Sequence, residues 1–273
     1  MTSIPRCHCW HPAPKIAEQY IALISRFGAN DNMNAWATDY VRHHAGRLRW
    51  DVDFLTENFK FSTCLNIGGA PYLFEHLLTE ACRDVRITSI DLDVSRFPFA
   101  SDVLCIKIVQ ADIEKVVPSS ETFDCIALCE IFEHLRIDII GTMRRIAMLS
   151  ADDGILYLTM PNGLGLAALR RIFDGRSGPD VIGEWQKLSS IGHMGHVREY
   201  SASEICAVLE FVGFRVERLL SRRLAVHARS LKGHLREFAT STLVRITPWL
   251  GDEIVIVARK EPSRAPGNVA VAR

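Results

Sequence analysis

The segment Cys64-Leu65-Asn66-Ile67-Gly68-Gly69-Ala70-Pro71-Tyr72 constrains this chain more than any other stretch. An apolar run ends abruptly in two glycines, a helical pattern follows, and a second apolar run ends in an acid at Ile90-Asp91. That order spells a strand, turn, helix, strand unit. Glycines in such a turn let a ligand approach the backbone without interference from a Cβ. An acid closing the second strand is placed to accept hydrogen bonds from a ribose diol. The unit therefore points to nucleoside binding at one end of an open sheet.

The alternation continues along the chain. Apolar runs predict strands over 63–67, 86–90, 104–109, 123–129, 153–159, 213–220 and 253–259, with helices at about 71–82, 134–149 and 202–212. Strands that alternate with helices argue for an α/β fold with helices on both faces. The expectation is a Rossmann-like, doubly wound, mainly parallel seven-stranded sheet with a reversed last strand, placed at the sheet edge. Residues 1–60 read as a helical N-terminal cap, either a packed cover or a lid over a substrate. Within it Ile16, Tyr20, Leu23, Ile24 and Phe27 share one face, a second helix spans Ala35 to Gly46, and a third surrounds Phe54 to Phe59. Residues 61–260 form the α/β domain, and the Pro/Ala/Arg-rich tail 261–273 reads as disordered.

Two segments exceed what a connection needs. Residues 161–200 are rich in glycine and follow the fifth strand, where a substrate loop belongs. Residues 221–252 form a basic insertion, with Arg222, Arg223, Arg229, Lys232, Arg236 and Arg245 against Glu237. Its apolar residues leave two readings open: a solvated helix packed on its own domain, or peripheral contact with a membrane surface.

Composition narrows the partners. The 32 basic and 32 acidic residues cancel, so the basic excess of a nucleic-acid binder is missing. No apolar stretch reaches the length of a membrane span, and Met1 to Trp10 lacks the hydrophobic region of a signal peptide. The expected location is cytoplasmic. Of the eight cysteines, Cys64, Cys105, Cys125 and Cys129 fall in expected strands as small hydrophobes, with no disulfide framework implied. Cys7-His8-Cys9-Trp10-His11 has no second ligand pair nearby and reads as a flexible start before Pro12 and Pro14. No metal site is assigned, and the oligomeric state is left open.

The order of these motifs resembles that of class I S-adenosylmethionine-dependent methyltransferases, over roughly residues 60 to 220 plus the last strand. The resemblance places the family's first motif at Leu65 to Tyr72, so that Asn66, Gly68, Gly69 and Ala70 border the cofactor. It implies that Asp91 holds the ribose and that Asp112, in Gln110-Ala111-Asp112-Ile113, meets the adenine edge, with Ile113 against the ring. Phe123 to Leu128 resembles the fourth strand, Cys129 and Glu130 the cofactor rim, and Glu133-His134-Leu135 the Glu-His-Leu segment that follows. His196 to Ser201 is similar to a segment of small-molecule and sugar methyltransferases, and Gly213 to Val216 to the entry of the sixth strand. Three positions depart from the pattern: Asn66 stands where the family often has Asp, and Ala70 and Tyr72 where it often has glycine.

The implied cofactor suits the turn. A pyrophosphate favours a third glycine at a helix start, whereas S-adenosylmethionine carries no phosphate. Its sulfonium is already activated, so holding a nucleophile in line supplies much of the rate. A hydroxyl nucleophile also benefits from a base, and histidine titrates near neutral pH. His134, His193 and His196 are the candidates. Arg198 and Glu199 are expected to hold the loop by pairing, and Ser201 to Glu204 to form a capping box. Glu130 and Glu133, near a helix start, are read as serving the helix dipole or the cofactor rim. The overall expectation is a methyltransferase acting on a small-molecule hydroxyl, foremost of a sugar or a lipid-linked glycan. The departures in the first motif leave a second reading, a cofactor-binding module without turnover.

Overall fold

The computed structural model describes residues 7–27, 31–176, 178–191, 195–224 and 231–261. Its centre is one sheet built from β1 (Cys7–Trp10), β2 (Thr63–Ile67), β3 (Arg86–Asp91), β4 (Lys107–Gln110), β5 (Phe123–Cys129), β6 (Ser150–Pro161), β7 (Phe214–Leu224) and β8 (Glu253–Lys260). The order is β1-β7-β8-β6-β5-β2-β3-β4. Only β8 runs against its neighbours, pairing antiparallel with both β6 and β7. The helices are α1 (Pro14–Phe27), α2 (Asp31–Asn58), α3 (Leu73–Ala81), α4 (Ala100–Leu104), α5 (Ile139–Leu149), α6 (Leu166–Phe173), α7 (Val181–Ile191), α8 (Ala202–Phe211) and α9 (Leu231–Ile246).

The strands are apolar almost throughout because both sheet faces are covered, while successive side chains still point to opposite sides. Cys64, Cys125, Tyr157, Val255 and Val257 face one side, where Tyr20 of α1, Val41, Leu48 and Leu55 of α2 and Leu77 of α3 pack on them. Leu65, Ile126, Leu156 and Ile256 face the other, against Met143 and Ile146 of α5 and Ile205 and Leu209 of α8. The N-terminal helices thus share a core with the sheet. Ser201 opens α8 with the expected capping box, its hydroxyl accepting from Glu204 N and Glu204 Oε2 accepting from Ser201 N.

Four features differ from the sequence reading. The reversed strand is present, but β8 lies inside the sheet, which explains why Ile254 through Ala258 are all buried. Cys7–Trp10, read as a flexible start, adds an eighth strand by pairing parallel with Ser221 to Leu224, the part of β7 beyond its expected end. The second and third helical stretches are one continuous helix, α2, because Val41, Ala45, Leu48, Val52 and Leu55 keep a single buried stripe along it. The glycine-rich segment 161–200 carries α6 and α7, and 221–252 carries the end of β7 and α9.

The basic insertion also turns partly inward. Arg222 is fully buried, pairing with Asp51 of α2 and with Glu253 of β8. Arg223 reaches Thr240 and Ser241 on α9. Arg229 and the tail from 262 lie outside the described residues. Cys9, Cys64, Cys82, Cys105, Cys125, Cys129 and Cys206 are free thiols, and among the described residues no helix is long and apolar enough to cross a membrane.

Candidate active site

The carboxyl ends of β2, β3, β4 and β5 are aligned by register, with Ile67 beside Ile90 and Asp91 beside Gln110. The glycine turn sits at the first of these ends. Gly68 has φ of +77° and donates its N–H to Ile90 O at 2.8 Å. Its conformation favours glycine, and a Cβ on it would lie 2.1 Å from Ile131 Cδ1 and displace that side chain. A Cβ on Gly69 would meet Ser89 Oγ at 2.1 Å and Glu75 Oε1 at 2.3 Å. The second glycine therefore leaves room for a polar cluster within the fold.

That cluster explains Asn66. Its amide donates to Glu75 Oε1 at 2.8 Å, and the Ser89 hydroxyl donates to the same oxygen at 2.6 Å. Burial pushes the Glu75 carboxyl up to about 7, against the opposing effect of those two hydrogen bonds. An aspartate at position 66 would face this carboxyl with like charge. Among the described residues, Glu75 Oε2 and the Tyr72 hydroxyl have no hydrogen-bond partner. Tyr72 takes φ of 65° at the start of α3 and sets its ring edge-on to Phe97.

Asp91 stands where expected, at the end of β3. Its Oδ2 accepts from Ala70 N at 3.0 Å and its Oδ1 from Asp93 N at 3.2 Å, which ties the second strand to the glycine turn. Each carboxylate oxygen keeps capacity for a further donor. Asp112 follows β4, accepts from Glu114 N at 3.0 Å and pairs with Lys115 at 2.9 Å. Ile113 is buried in the same apolar cluster as Ile67 and Ile90. Glu114, which the motifs do not single out, accepts from Arg136 N and Ile137 N at 2.7 and 2.6 Å and so anchors the segment after β5.

At the end of β5, Cys129 packs toward the α1–α2 side, and burial pushes its thiol up. Glu130 takes φ of 57° and lies 3.1 Å from Arg47 Nη1 of α2. Burial raises the Glu130 carboxyl, and Arg47 acts in the opposite direction. Glu133 and His134 close a single 3-10 turn, Phe132–His134. The Glu133 side chain is 0% exposed, and among the described residues neither of its oxygens has a hydrogen-bond partner. Burial, reinforced by Glu130, pushes its carboxyl well above the usual carboxylate range.

The loop before α8 comes back onto this turn. Val197 N donates to the Glu133 carbonyl at 2.8 Å, and His196 N donates to Glu184 Oε2 at 2.8 Å. The His196 ring thereby lies 3.7 Å from Glu133 Oε1, through Nε2, and edge-on to the His134 ring with centroids 4.9 Å apart. Of the three candidate histidines, His134 and His196 are brought together; His193 lies outside the described residues. Arg198 and Glu199 do pair, though with Glu204 and Arg171 and not with each other.

Arg47, Glu75, Ser89, Glu114 and Glu184 all shape the site and went unmarked in the sequence. For Arg47 and Glu75 the only local signal is a charged residue on the apolar stripe of a helix. A separate cavity of about 280 Å³, lined by Asn162, Leu164, Ala202, Leu219, Trp249 and Ile254 among others, lies past the end of β6 and presents no acid or histidine.

Against known proteins, the sequence model of a family described as a methyltransferase domain matches residues 40–219. No curated protein matches by sequence. Among solved structures, the chain is similar to the N-methyltransferase NodS from Bradyrhizobium japonicum WM9, crystallised with S-adenosyl-L-homocysteine, at 18% identity and a TM-score of 0.50, covering 89% of this chain and 98% of that one. It is also similar to an O-methyltransferase family protein from Burkholderia thailandensis, at 11% identity and a TM-score of 0.53, covering 93% of this chain and 65% of that one. Likenesses at these identities establish the fold.

Proposed function

The chain belongs to the methyltransferase-domain family, and from that premise we propose that it methylates a hydroxyl group of a small-molecule acceptor, foremost of a sugar or glycan-linked compound. It is an S-adenosylmethionine-dependent methyltransferase. The residues at the strand ends suit that cofactor: a glycine turn held at φ of +77° by Gly68, spare acceptor capacity on Asp91, and unpartnered polar atoms on Tyr72 and Glu75. Bound there, the cofactor supplies a methyl group already activated on a sulfonium.

In this reading Gly68 and Gly69 admit the cofactor to the backbone and Asp91 accepts from its ribose hydroxyls. Asp112 and Ile113 border the adenine. Cys129 and Glu130 line the rim between cofactor and acceptor. The convergence of Glu133, His134 and His196 just past β5 carries the proposal of a hydroxyl acceptor. Such a nucleophile must lose its proton as the new bond forms, and polar groups gathered at that point favour the loss. Holding the hydroxyl there, in line with the methyl group, is the main contribution asked of the chain.

The sugar class is supported by the likeness of His196 to Ser201 to sugar methyltransferases. Labelled methyl transfer to a panel of sugars, phenols and amines tests it. Transfer to sugar hydroxyls is expected; transfer confined to amines or phenols would overturn the proposal. The module without turnover is the second reading, favoured by Ala70 and Tyr72 in the turn. Tight S-adenosylhomocysteine binding with no transfer to any acceptor would select it.

A further inference from the structure

The ligating atoms of Glu133, His134 and His196 all lie within 4.8 Å of one another. Three protein atoms that each bond a common ion at about 2.0–2.2 Å in tetrahedral geometry lie about 3.3–3.6 Å apart, so these side chains need to close in by about an ångström to share one. The cluster sits at the carboxyl end of β5, beside the cofactor rim, with one face toward the loop that carries His196. From this geometry we infer that Glu133, His134 and His196 bind a first-row divalent cation, and that the cation receives the acceptor hydroxyl.

Three further observations point the same way. First, Glu133 is fully buried and neither carboxylate oxygen has a hydrogen-bond partner among the described residues. A buried carboxyl left without partners is unfavourable, and a cation at that point supplies the missing contacts. Second, its neighbour Glu130 already faces Arg47 at 3.1 Å, whereas Glu133 has His196 Nε2 at 3.7 Å, beyond hydrogen-bond length. The uncompensated carboxyl is therefore the one that points at the two histidines. Third, the backbone holds both halves of the cluster in place: Val197 N binds the Glu133 carbonyl, and Glu184 binds His196 N. These contacts fix the ligands without using any ligating atom.

The donor set also selects the ion. One carboxylate with two imidazoles suits zinc, cobalt, manganese or iron better than calcium or magnesium, and catalytic sites of this composition keep an open position. His196 is 27% exposed, which leaves a side of the cluster accessible to an acceptor. An acceptor hydroxyl on such a cation becomes more acidic and gives its proton to water. Its oxygen then forms the bond to the methyl carbon as the carbon–sulfur bond breaks, with the electron pair remaining on sulfur. The cation takes over the proton-releasing role that a histidine base would otherwise perform. Cation binding itself does not depend on the methyl-transfer reading; the role of the cation toward the acceptor does.

The full chain, stripped with EDTA and dialysed, is titrated with Co2+ alone and followed by visible absorption, with no methyl donor present. One saturable Co2+ per chain is expected, displaced by Zn2+. Glu133→Gln and His196→Ala should each weaken binding at least tenfold, while His43→Ala on the exposed side of α2 leaves it unchanged. Circular dichroism checks that each variant is folded, and His196, being partly exposed, is the replacement the core tolerates best. Absence of saturable binding in the folded wild-type protein would overturn the inference, as would equal affinity in the folded His196→Ala variant. Co2+ binding without methylation of any acceptor would instead count against the proposed function alone. Full activity in EDTA would retain the function and return the proton to a histidine base.

Discussion

Replacing Asp51 with alanine probes the ion network that fastens α2 to the sheet. Asp51 and Arg222 are both 0% exposed. One carboxylate oxygen of Asp51 receives Arg222 Nη1 and the Tyr157 hydroxyl, and the other faces Arg222 Nη2 at 3.4 Å. Arg222 also donates Nε to Glu253 at 2.6 Å. Alanine at position 51 leaves the guanidinium with Glu253 alone and the hydroxyl without an acceptor. Removing one partner of a buried pair costs about 3–5 kcal/mol, and the surviving Glu253 contact places this case near 3. The stranded hydroxyl adds about 1 kcal/mol. The total, near 4 kcal/mol, corresponds to a fall in Tm of roughly 10 °C for a chain of this size. Urea denaturation of wild type, Asp51→Ala, and the double variant Asp51→Ala/Arg222→Met supplies the measurement. The double variant should recover part of the loss, because it removes the under-compensated buried guanidinium while Glu253, 17% exposed, turns to solvent. A single-variant loss below about 1 kcal/mol, or a double variant no more stable than the single, refutes the reasoning.

Asp91→Ala should weaken S-adenosylhomocysteine binding about 10- to 100-fold, the range for losing a charged acceptor to a ribose hydroxyl, as read by calorimetry. Unchanged affinity would remove Asp91 from the cofactor site. Gly69→Ala must break the Ser89–Glu75 contact to seat its Cβ, a loss of about 1–3 kcal/mol, and Ser89→Ala in the same chain should restore part of it. Equal stability of Gly69→Ala and wild type would show that the turn can shift. Burial holds the Glu75 carboxyl at about 7, above its ordinary 4.5, so the folded chain binds that proton more tightly than the unfolded chain. Stability from this group is therefore full below about pH 4.5 and is lost as pH rises through about 7, by about 3 kcal/mol in all. Glu75→Gln removes that slope, and parallel stability-against-pH curves for the two proteins would contradict it.

The elements and the strand-end residues were legible because they are local. A strand buried on both faces is apolar over most of its length, as Cys125 to Leu128 of β5 and Ile254 to Ala258 of β8 show directly. A turn that needs positive φ must carry a suitable residue, and Gly68 does. An acid that closes a strand can be found by counting, and Asp91 lies where the counting puts it. Even the role of Ser201 could be written from four residues, since a capping box involves nothing further away.

Other features depend on which surfaces meet. Asn66 read as a lapse in a motif until Glu75 came to lie against it. The basic insertion read as a charged surface until β7 carried Arg222 into the core, 171 residues from Asp51 in sequence. No periodicity encodes that pairing, because burial of a charge depends on the packing of α2, β7 and β8 together. The same holds for β1, which becomes a strand only when β7 runs past its expected end, and for β8, which has two neighbours instead of an open edge. His134 and His196 were named separately as candidate bases; tertiary structure placed one ring edge-on to the other beside a buried carboxyl. Sequence determined the α/β plan and the residues at its strand ends, since local propensity and burial dictate both. Tertiary structure alone decided which charges are desolvated together, because desolvation is a property of the packed interior and not of any segment within it.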